Sequence, residues 1–449
     1  MVRQYFGTDG IRGKTGVTPI TPEFFVRLGY AAGVVLTRHN LTKKKPSVVI
    51  GKDTRISGYM LESALEAGFS SAGVDVFLTG PLPTPAIAFL TRELGSQVGV
   101  VISASHNPHD DNGVKLFSSE GIKLSDEIEH EIELLLNEPM NLVSSKALGK
   151  AKRVDDGLEQ YSSYCKSTIP KDVSLERMTI ILDCAHGATY QVAPKVFSDL
   201  GAKVIAINNK PDGFNINDGA GSIHPEVLQK SVLDNHADLG IAFDGDGDRV
   251  IMVDAEGHLA DGDQLLFLIL QRYLSAKIFK GGVVGTLMTN LAFEEKCQEM
   301  SIPFYRANVG DRYVSESLRE RNWILGGENS GHILTLDLHS TGDGIISALQ
   351  VLSSIILSNQ TLKQALQAIQ LYPQILINIP LLKKINLDCP KINDAIKEAE
   401  LLMNGKGRIL IRESGTQALV RVMTEGPVRE DALKSAEFLV EKIKQLKST

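Results

Sequence analysis

Cysteine is scarce, with 4 in 449 residues, and Cys165, Cys184, Cys297 and Cys389 form no C-x-x-C pair. This argues against a disulfide framework and a structural zinc site, and it fits a reducing cytoplasm. No stretch approaches the roughly eighteen apolar residues of a membrane span. The opening MVRQYFGTDG has no apolar signal core, so a cytoplasmic protein is expected and the sequons at Asn40 and Asn359 are chance matches. There is no basic tract, and the formal net charge is −7, so nucleic acid is not an expected partner. A G-x-S-x-G elbow is missing, which argues against an α/β-hydrolase. GKDTR (51–55) is not a nucleotide-binding P-loop, because no glycine lies five residues before Gly51. Lys52 and Arg55 of that stretch read equally well as cleft residues or as part of a solvated loop.

The rest of the composition is that of a globular chain: 43% hydrophobic, with 40 Gly and 17 Pro, and long enough for three or four domains. Strands and helices alternate. SVVIG (47–51) precedes a helix over 60–73, TIILDCAHGA (179–188) precedes one ending near Leu200, and GGVVGTLMTN (281–290) precedes one holding Phe293 and Cys297. Each is a βα unit with small residues at its tip. The pattern predicts three related mixed α/β domains, at 1–153, 154–258 and 259–370, and a smaller α+β domain at 371–449 closed by a helix over 430–446. Glycine, proline and charge shifts near 149–157, 257–261 and 371–373 mark the divisions.

Four strand–loop–strand segments carry different chemistry at their tips. DLGIAFDGDGDRVIMVD (238–254) places Asp244, Asp246 and Asp248 between two apolar runs, alternating with Gly245 and Gly247. Three carboxylates on so short a loop repel one another unless a cation lies between them, and oxygen donors without His or Cys favour Mg²⁺ or Ca²⁺ over zinc. An EF-hand would need Gly at its sixth position and Glu at its twelfth, where Arg249 and Ala255 stand. The plainer reading is a solvated acidic turn. In VGVVISASHNPHDDNGVKLF (98–117), Ser105 is a candidate nucleophile followed by His106, with Lys115 on the second strand. WILGGENSGHILTL (323–336) presents Glu328, Asn329, Ser330 and His332. RILIRESGTQALVRVM (408–423) sets Arg412 and Arg421 about Ser414, Gly415 and Thr416, a set suited to a phosphate through forked donors, hydroxyls and backbone N–H groups. One centre would then hold a serine, a cation, groups for a polyol and a phosphate clamp, the parts needed for phosphoryl transfer on a sugar phosphate.

These motifs resemble those of the α-D-phosphohexomutase superfamily. SASHNP (103–108) is similar to its phosphoserine loop, DGDGDR (244–249) to its magnesium loop, GENSGH (327–332) to its sugar loop, and RESGTQALVR (412–421) to its phosphate loop. YFGTDGIRG (5–13), GKDTRISG (51–58), VGDRYV (309–314) and Asn329 within the sugar loop most resemble the phosphoglucosamine mutase family. The phosphate loop departs from the usual SGTEP, with Gln417 and Ala418 instead, which removes a fixed φ and a carboxylate.

The resemblance implies four domains around a central cleft. It implies an isomerase that interconverts glucosamine 6-phosphate and glucosamine 1-phosphate and feeds UDP-N-acetylglucosamine and cell-wall precursor synthesis. Ser105 would carry the phosphoryl group, and glucosamine 1,6-bisphosphate would be the intermediate. One Mg²⁺ per chain would lie on Ser105, Asp244, Asp246 and Asp248. Arg12 would stand close to the phosphoserine, Glu328, Ser330 and His332 would hold the sugar, and Arg412, Ser414, Gly415, Thr416 and Arg421 the fixed phosphate. Lys115 is the candidate proton acceptor if burial beside the metal lowers its pKa, with His106 and His332 as the other candidates; its second reading is a phosphate-facing charge. The partner is a small hexosamine phosphate, and a homodimer is left open. The alternatives are a phosphoglucomutase/phosphomannomutase, more remotely a metal-dependent sugar phosphatase, and a non-catalytic carbohydrate- or calcium-binding protein.

Overall fold

A computed structural model of the chain describes residues 4–7, 9–39, 45–380, 387, 389–413 and 419–447. Its strands form four sheets. The first runs in the order Ile11–Lys14, Asp111–Ser118, Val98–Ile102, Ser47–Lys52, Asp75–Pro81, Ala151–Arg153. The second runs Leu259–Ala260, Val250–Asp254, Leu239–Phe243, Thr179–Asp183, Lys203–Ile207, and the third Phe304–Ala307, Val283–Thr286, Leu325–Gly327, Ile333–Thr335. The fourth, Gln374–Pro380, Leu419–Glu425 and Arg408–Glu413, is antiparallel throughout. This is the expected class: three related α/β units and a smaller α+β unit.

The three larger sheets share a plan. Each has a parallel centre flanked on one side by an antiparallel hairpin: Val98–Ile102 with Asp111–Ser118, Leu239–Phe243 with Val250–Asp254, Leu325–Gly327 with Ile333–Thr335. The tips of these hairpins are the serine, acidic and GENSGH loops. Leu239–Phe243 and Val250–Asp254 are almost wholly apolar because both faces of their sheet are covered; all five residues of each are buried. Leu259–Ala260 adds a short edge to the second sheet by pairing with Val253 and Met252, two residues past the division expected at 258.

Helices begin where capping chemistry allows. Gly262–Ser275 starts from a reciprocal Asp261–Gln264 capping box, and Gly344–Leu357 from Asp343, whose side chain accepts the Ile346 N–H. The helix expected at 60–73 is Ser57–Ser71. The one ending near Leu200 starts only at Val192, because Ala185 and His186 take left-handed backbone (φ 52° and 48°) in the loop before it. Helices Pro22–His39 and Ser57–Ser71 touch through Gly29 and Gly68; a Cβ on Gly68 would lie 2.3 Å from the Val26 carbonyl oxygen. One apolar core, including Val101, Phe243 and Leu352, joins the first three units, whereas the fourth packs its own around Val420, Val422 and Leu439. The three hairpin tips are therefore held relative to one another by packed interior. No helix among the described residues is long and apolar enough to cross a membrane.

Candidate active site

Ser105 is 1% exposed and has φ +54°. Its Oγ donates to Asp244 Oδ2 at 2.7 Å, and His106 Nδ1 stands 3.4 Å away. The two loops meet closely because residue 245 is glycine: a Cβ there would lie 2.6 Å from the Ser105 carbonyl oxygen. Asp244, Asp246 and Asp248 each bring a carboxylate oxygen within 4.8 Å of the others, all buried. Asp246 Oδ2 accepts from Thr84 Oγ1 (2.6 Å) and Lys115 Nζ (2.8 Å), and Asp248 Oδ2 accepts from the same Nζ (2.9 Å). The other oxygens, Asp246 Oδ1 and Asp248 Oδ1, are buried with no hydrogen-bond partner among the described residues.

Such a cluster is costly as it stands. Burial, then the charges of Asp248 and Asp246, push the Asp244 carboxyl well up. Burial works the same way on Asp248, but Lys115 and His332 hold its carboxyl well below the usual range. Buried carboxylates pushed in opposite directions, with Asp246 Oδ1 unpartnered among the described residues and Asp248 Oδ1 facing only the cations of His332 (3.6 Å) and Arg249 (3.9 Å), form a hard oxygen donor set that fits a divalent cation. The buried Asp triad can hold a metal.

Lys115 faces the acidic loop from the neighbouring strand. Its burial at 2% exposure would lower the ammonium, but Asp246, Asp248 and Asp9 outweigh that, and its pKa stands well above that of free lysine. In the metal-free site three carboxylates thus face one ammonium. His106 goes the other way: burial, then Arg249 and Arg12, bring it down to about 4, so it is neutral at pH 7. His332 lies between Asp248 (3.6 Å) and Asp311 (3.6 Å). Burial opposes its charge, but Asp248, Asp311 and Glu328 raise it to about 9.

The three loops open on a cleft of about 690 Å³ that draws residues from all four units, among them Arg12, His106, Arg249, Glu328, Ser330 and Arg421. Arg12 is thus a cleft residue, paired with Asp9. Lys52 and Arg55 are buried, Lys52 against Glu62 and Arg55 behind the serine loop. Glu328 Oε1 accepts the Gly310 N–H at 3.0 Å, and burial raises its carboxyl. Arg412 and Arg421 are register partners on adjacent strands of the fourth sheet. Ser414, Gly415, Thr416, Gln417 and Ala418 lie outside the described residues. Sequence reasoning missed Asp9, Lys123 and Asp311. Lys123 bonds Asp9 and, at 2.6 Å, Asp311, which joins the first and third units at the cleft wall. VGDRYV contains Asp311, but no local pattern marks the set.

All four family domains match the chain. Residues 3–142, 159–257 and 261–372 match phosphoglucomutase/phosphomannomutase alpha/beta/alpha domains I, II and III, and residues 376–442 match the C-terminal domain. Curated relatives include phosphoglucosamine mutases from Thiobacillus denitrificans, 53% identical over 99% of this chain and 98% of that one, and from Methylobacillus flagellatus, 55% identical over 99% of each. Among solved structures, a phosphoglucomutase/phosphomannomutase family protein from Burkholderia thailandensis superposes at TM-score 0.81 with 22% identity, covering 100% of this chain and 98% of that one. Aspergillus fumigatus N-acetylphosphoglucosamine mutase, solved with GlcNAc-6P and magnesium, superposes at 0.68 with 17% identity, covering 99% and 96%. With every domain matched, and more than half of its residues shared with curated phosphoglucosamine mutases along its length, the chain belongs to the phosphoglucomutase/phosphomannomutase family and is an isomerase of the phosphohexomutase kind.

Proposed function

We propose that the chain interconverts glucosamine 6-phosphate and glucosamine 1-phosphate through a phosphorylated Ser105 and a glucosamine 1,6-bisphosphate intermediate. The observation that carries this reading is Ser105 Oγ, held 2.7 Å from Asp244 in a buried carboxylate triad beside a cleft that Arg421 also lines. The whole-length likeness to phosphoglucosamine mutases selects the amino sugar.

In the first transfer the bond between phosphorus and Ser105 oxygen breaks, and a bond from phosphorus to the free sugar hydroxyl forms. The proton of that hydroxyl must leave. Lys115 is the first candidate to accept it, with His106, 3.4 Å from Ser105 Oγ, and His332 as the others, and the leaving Ser105 oxygen regains a proton in the same exchange. The bisphosphate then turns end for end, and Ser105 takes back the other phosphoryl group. Arg412 and Arg421 hold whichever phosphate is not being transferred. Glu328 and Ser330 hold the sugar hydroxyls in both orientations. Lys115 fixes the directions of Asp246 and Asp248. Asp244, Asp246, Asp248 and an oxygen of phosphorylated Ser105 would hold one Mg²⁺ per chain, which when bound offsets the charge of the transferring oxygens. The same reading divides the chain at 153/154, 258/259 and 370/371. It places the enzyme in the cytoplasm on the route to UDP-N-acetylglucosamine, acting on a small molecule and not on nucleic acid.

The test is intact-protein mass followed by kcat/KM for the 6-phosphates of glucosamine, glucose and mannose. One phosphate on the protein and the highest value for glucosamine support the reading. A higher value for glucose or mannose reassigns the substrate, and release of inorganic phosphate without isomerisation makes it a phosphatase.

A further inference from the structure

Ser105 adopts a backbone conformation that its own Cβ disfavours. Its φ of +54° is in the left-handed region, where Cβ crowds the following carbonyl, and such a setting persists only where the surroundings over-determine it. The surroundings here are specific. Arg55 is fully buried; its Nη2 donates to the carbonyls of Ser105 (3.1 Å) and Asn107 (2.8 Å), and its Nη1 to those of Asp111 (3.0 Å) and Pro108. Its Nε donates to Asp53 Oδ2 at 2.8 Å. That same oxygen takes the Ser103 hydroxyl at 2.6 Å, and Ser103 Oγ in turn accepts the Ser105 N–H at 2.8 Å. From the second unit, Asn217 Nδ2 donates to the same two carbonyls, of Ser105 (2.9 Å) and Asn107 (3.0 Å).

Both ends of the Ser105 peptide are thus clamped, the N–H through Ser103 and Asp53 and the carbonyl by two donors from different units. A Cβ on Gly245 would lie 2.7 Å from Asn217 Nδ2 as well as 2.6 Å from the Ser105 oxygen, so the acidic loop packs against the same clamp. We propose that Arg55 and Asn217 are positioning residues that hold Ser105 in its left-handed turn and so aim its Oγ, and the phosphoryl group it carries, at the Asp244 loop and the cleft. Neither is placed to touch substrate: Arg55 has no exposed surface and Asn217 is 5% exposed. This rests on Ser105 being the phosphoryl carrier.

The experiment compares wild type, Asn217→Ala, Asn217→Asp and Arg55→Lys, each as full-length protein with Mg²⁺. The readouts are kcat per phosphorylated chain, KM, phosphate occupancy by intact mass, and melting temperature. Small misplacement of a reacting group lowers turnover by about 10- to 100-fold, so kcat should fall by that factor in folded Asn217→Ala while KM stays within about threefold. Asn217→Asp should fall at least as far, because it turns an oxygen towards two carbonyls. Arg55→Lys keeps the charge but loses the fork, so it should not restore wild-type kcat; a purely electrostatic role would. Wild type without phosphate on Ser105, or an active Ser105→Ala, would overturn the phosphoserine reading itself. Wild type turning over through phosphorylated Ser105, with unchanged kcat in both Asn217 variants, would overturn the positioning role alone.

Discussion

Arg412 and Arg421 stand directly opposite one another in the antiparallel ladder of the fourth unit, so two guanidiniums share one face of the sheet. Like charges so placed repel, and Arg421 Nε is buried with no hydrogen-bond partner among the described residues. Burial, then the charge of Arg421, lowers the pKa of Arg412. A dianionic phosphate relieves both the repulsion and the unpaired donor.

Arg421→Ala should therefore raise KM for the hexosamine phosphate more than it lowers kcat. The clamp acts on the phosphate that does not react, so its energy is shared by ground and transition states. A charged hydrogen bond contributes about 1.5–3 kcal/mol, which corresponds to a KM rise of about 10- to 100-fold. Steady-state kinetics in both directions check this; a collapse of kcat at unchanged KM would place Arg421 at the transferring phosphate.

Ser105→Ala should lose mutase activity by several orders of magnitude, since it removes the group that makes and breaks the covalent bond. Peptide mapping should place the phosphate on Ser105 and not on Ser103, whose hydroxyl is committed to Asp53. Phosphate on Ser103 would refute the assignment.

Chelation should abolish turnover and lower the melting temperature. A cation at 100 times its Kd stabilises the folded state by about 2.7 kcal/mol. Asp246→Ala should remove most of that Mg²⁺-dependent increment, because it deletes a ligand and one of the partners that fix Lys115. Calorimetry with and without Mg²⁺ reads both effects; undiminished turnover in excess chelator would rule out a catalytic metal.

His332 adds a pH-dependent contribution to the metal-free protein. Its folded pKa, about 9, is above the value near 6.5 of an unfolded histidine. The stability it contributes is fully present below pH 6.5 and is lost as pH rises through about 9. His332→Asn should therefore flatten the fall in stability between those values in chelator. Denaturant unfolding of both proteins at pH 6 and 9 tests it, and parallel losses would mean that the imidazole carries no charge.

What could be read from the chain alone is what lies close together along it. The serine, acidic and GENSGH loops were legible because each is a hairpin tip, with its polar residues close together between flanking strands, as between Leu239–Phe243 and Val250–Asp254. Asp244, Asp246 and Asp248 marked a candidate cation site by spacing alone, and the fold added that all three are buried together. Arg55 could not be placed in this way: GKDTR read equally as cleft or solvent, and only the packing of Ser47–Lys52 beside Val98–Ile102 brings its guanidinium onto carbonyls some fifty residues later. Asp9, Lys123 and Asp311 are ordinary surface types in sequence and become one network only where the first and third units meet. The charges that surround Lys115 were decided by tertiary structure too. Burial alone would lower its pKa, but the acidic hairpin tip and the Asp9 loop set three carboxylates around one ammonium, and without a metal Coulomb attraction at short range in a poorly solvated interior exceeds the desolvation that opposes it.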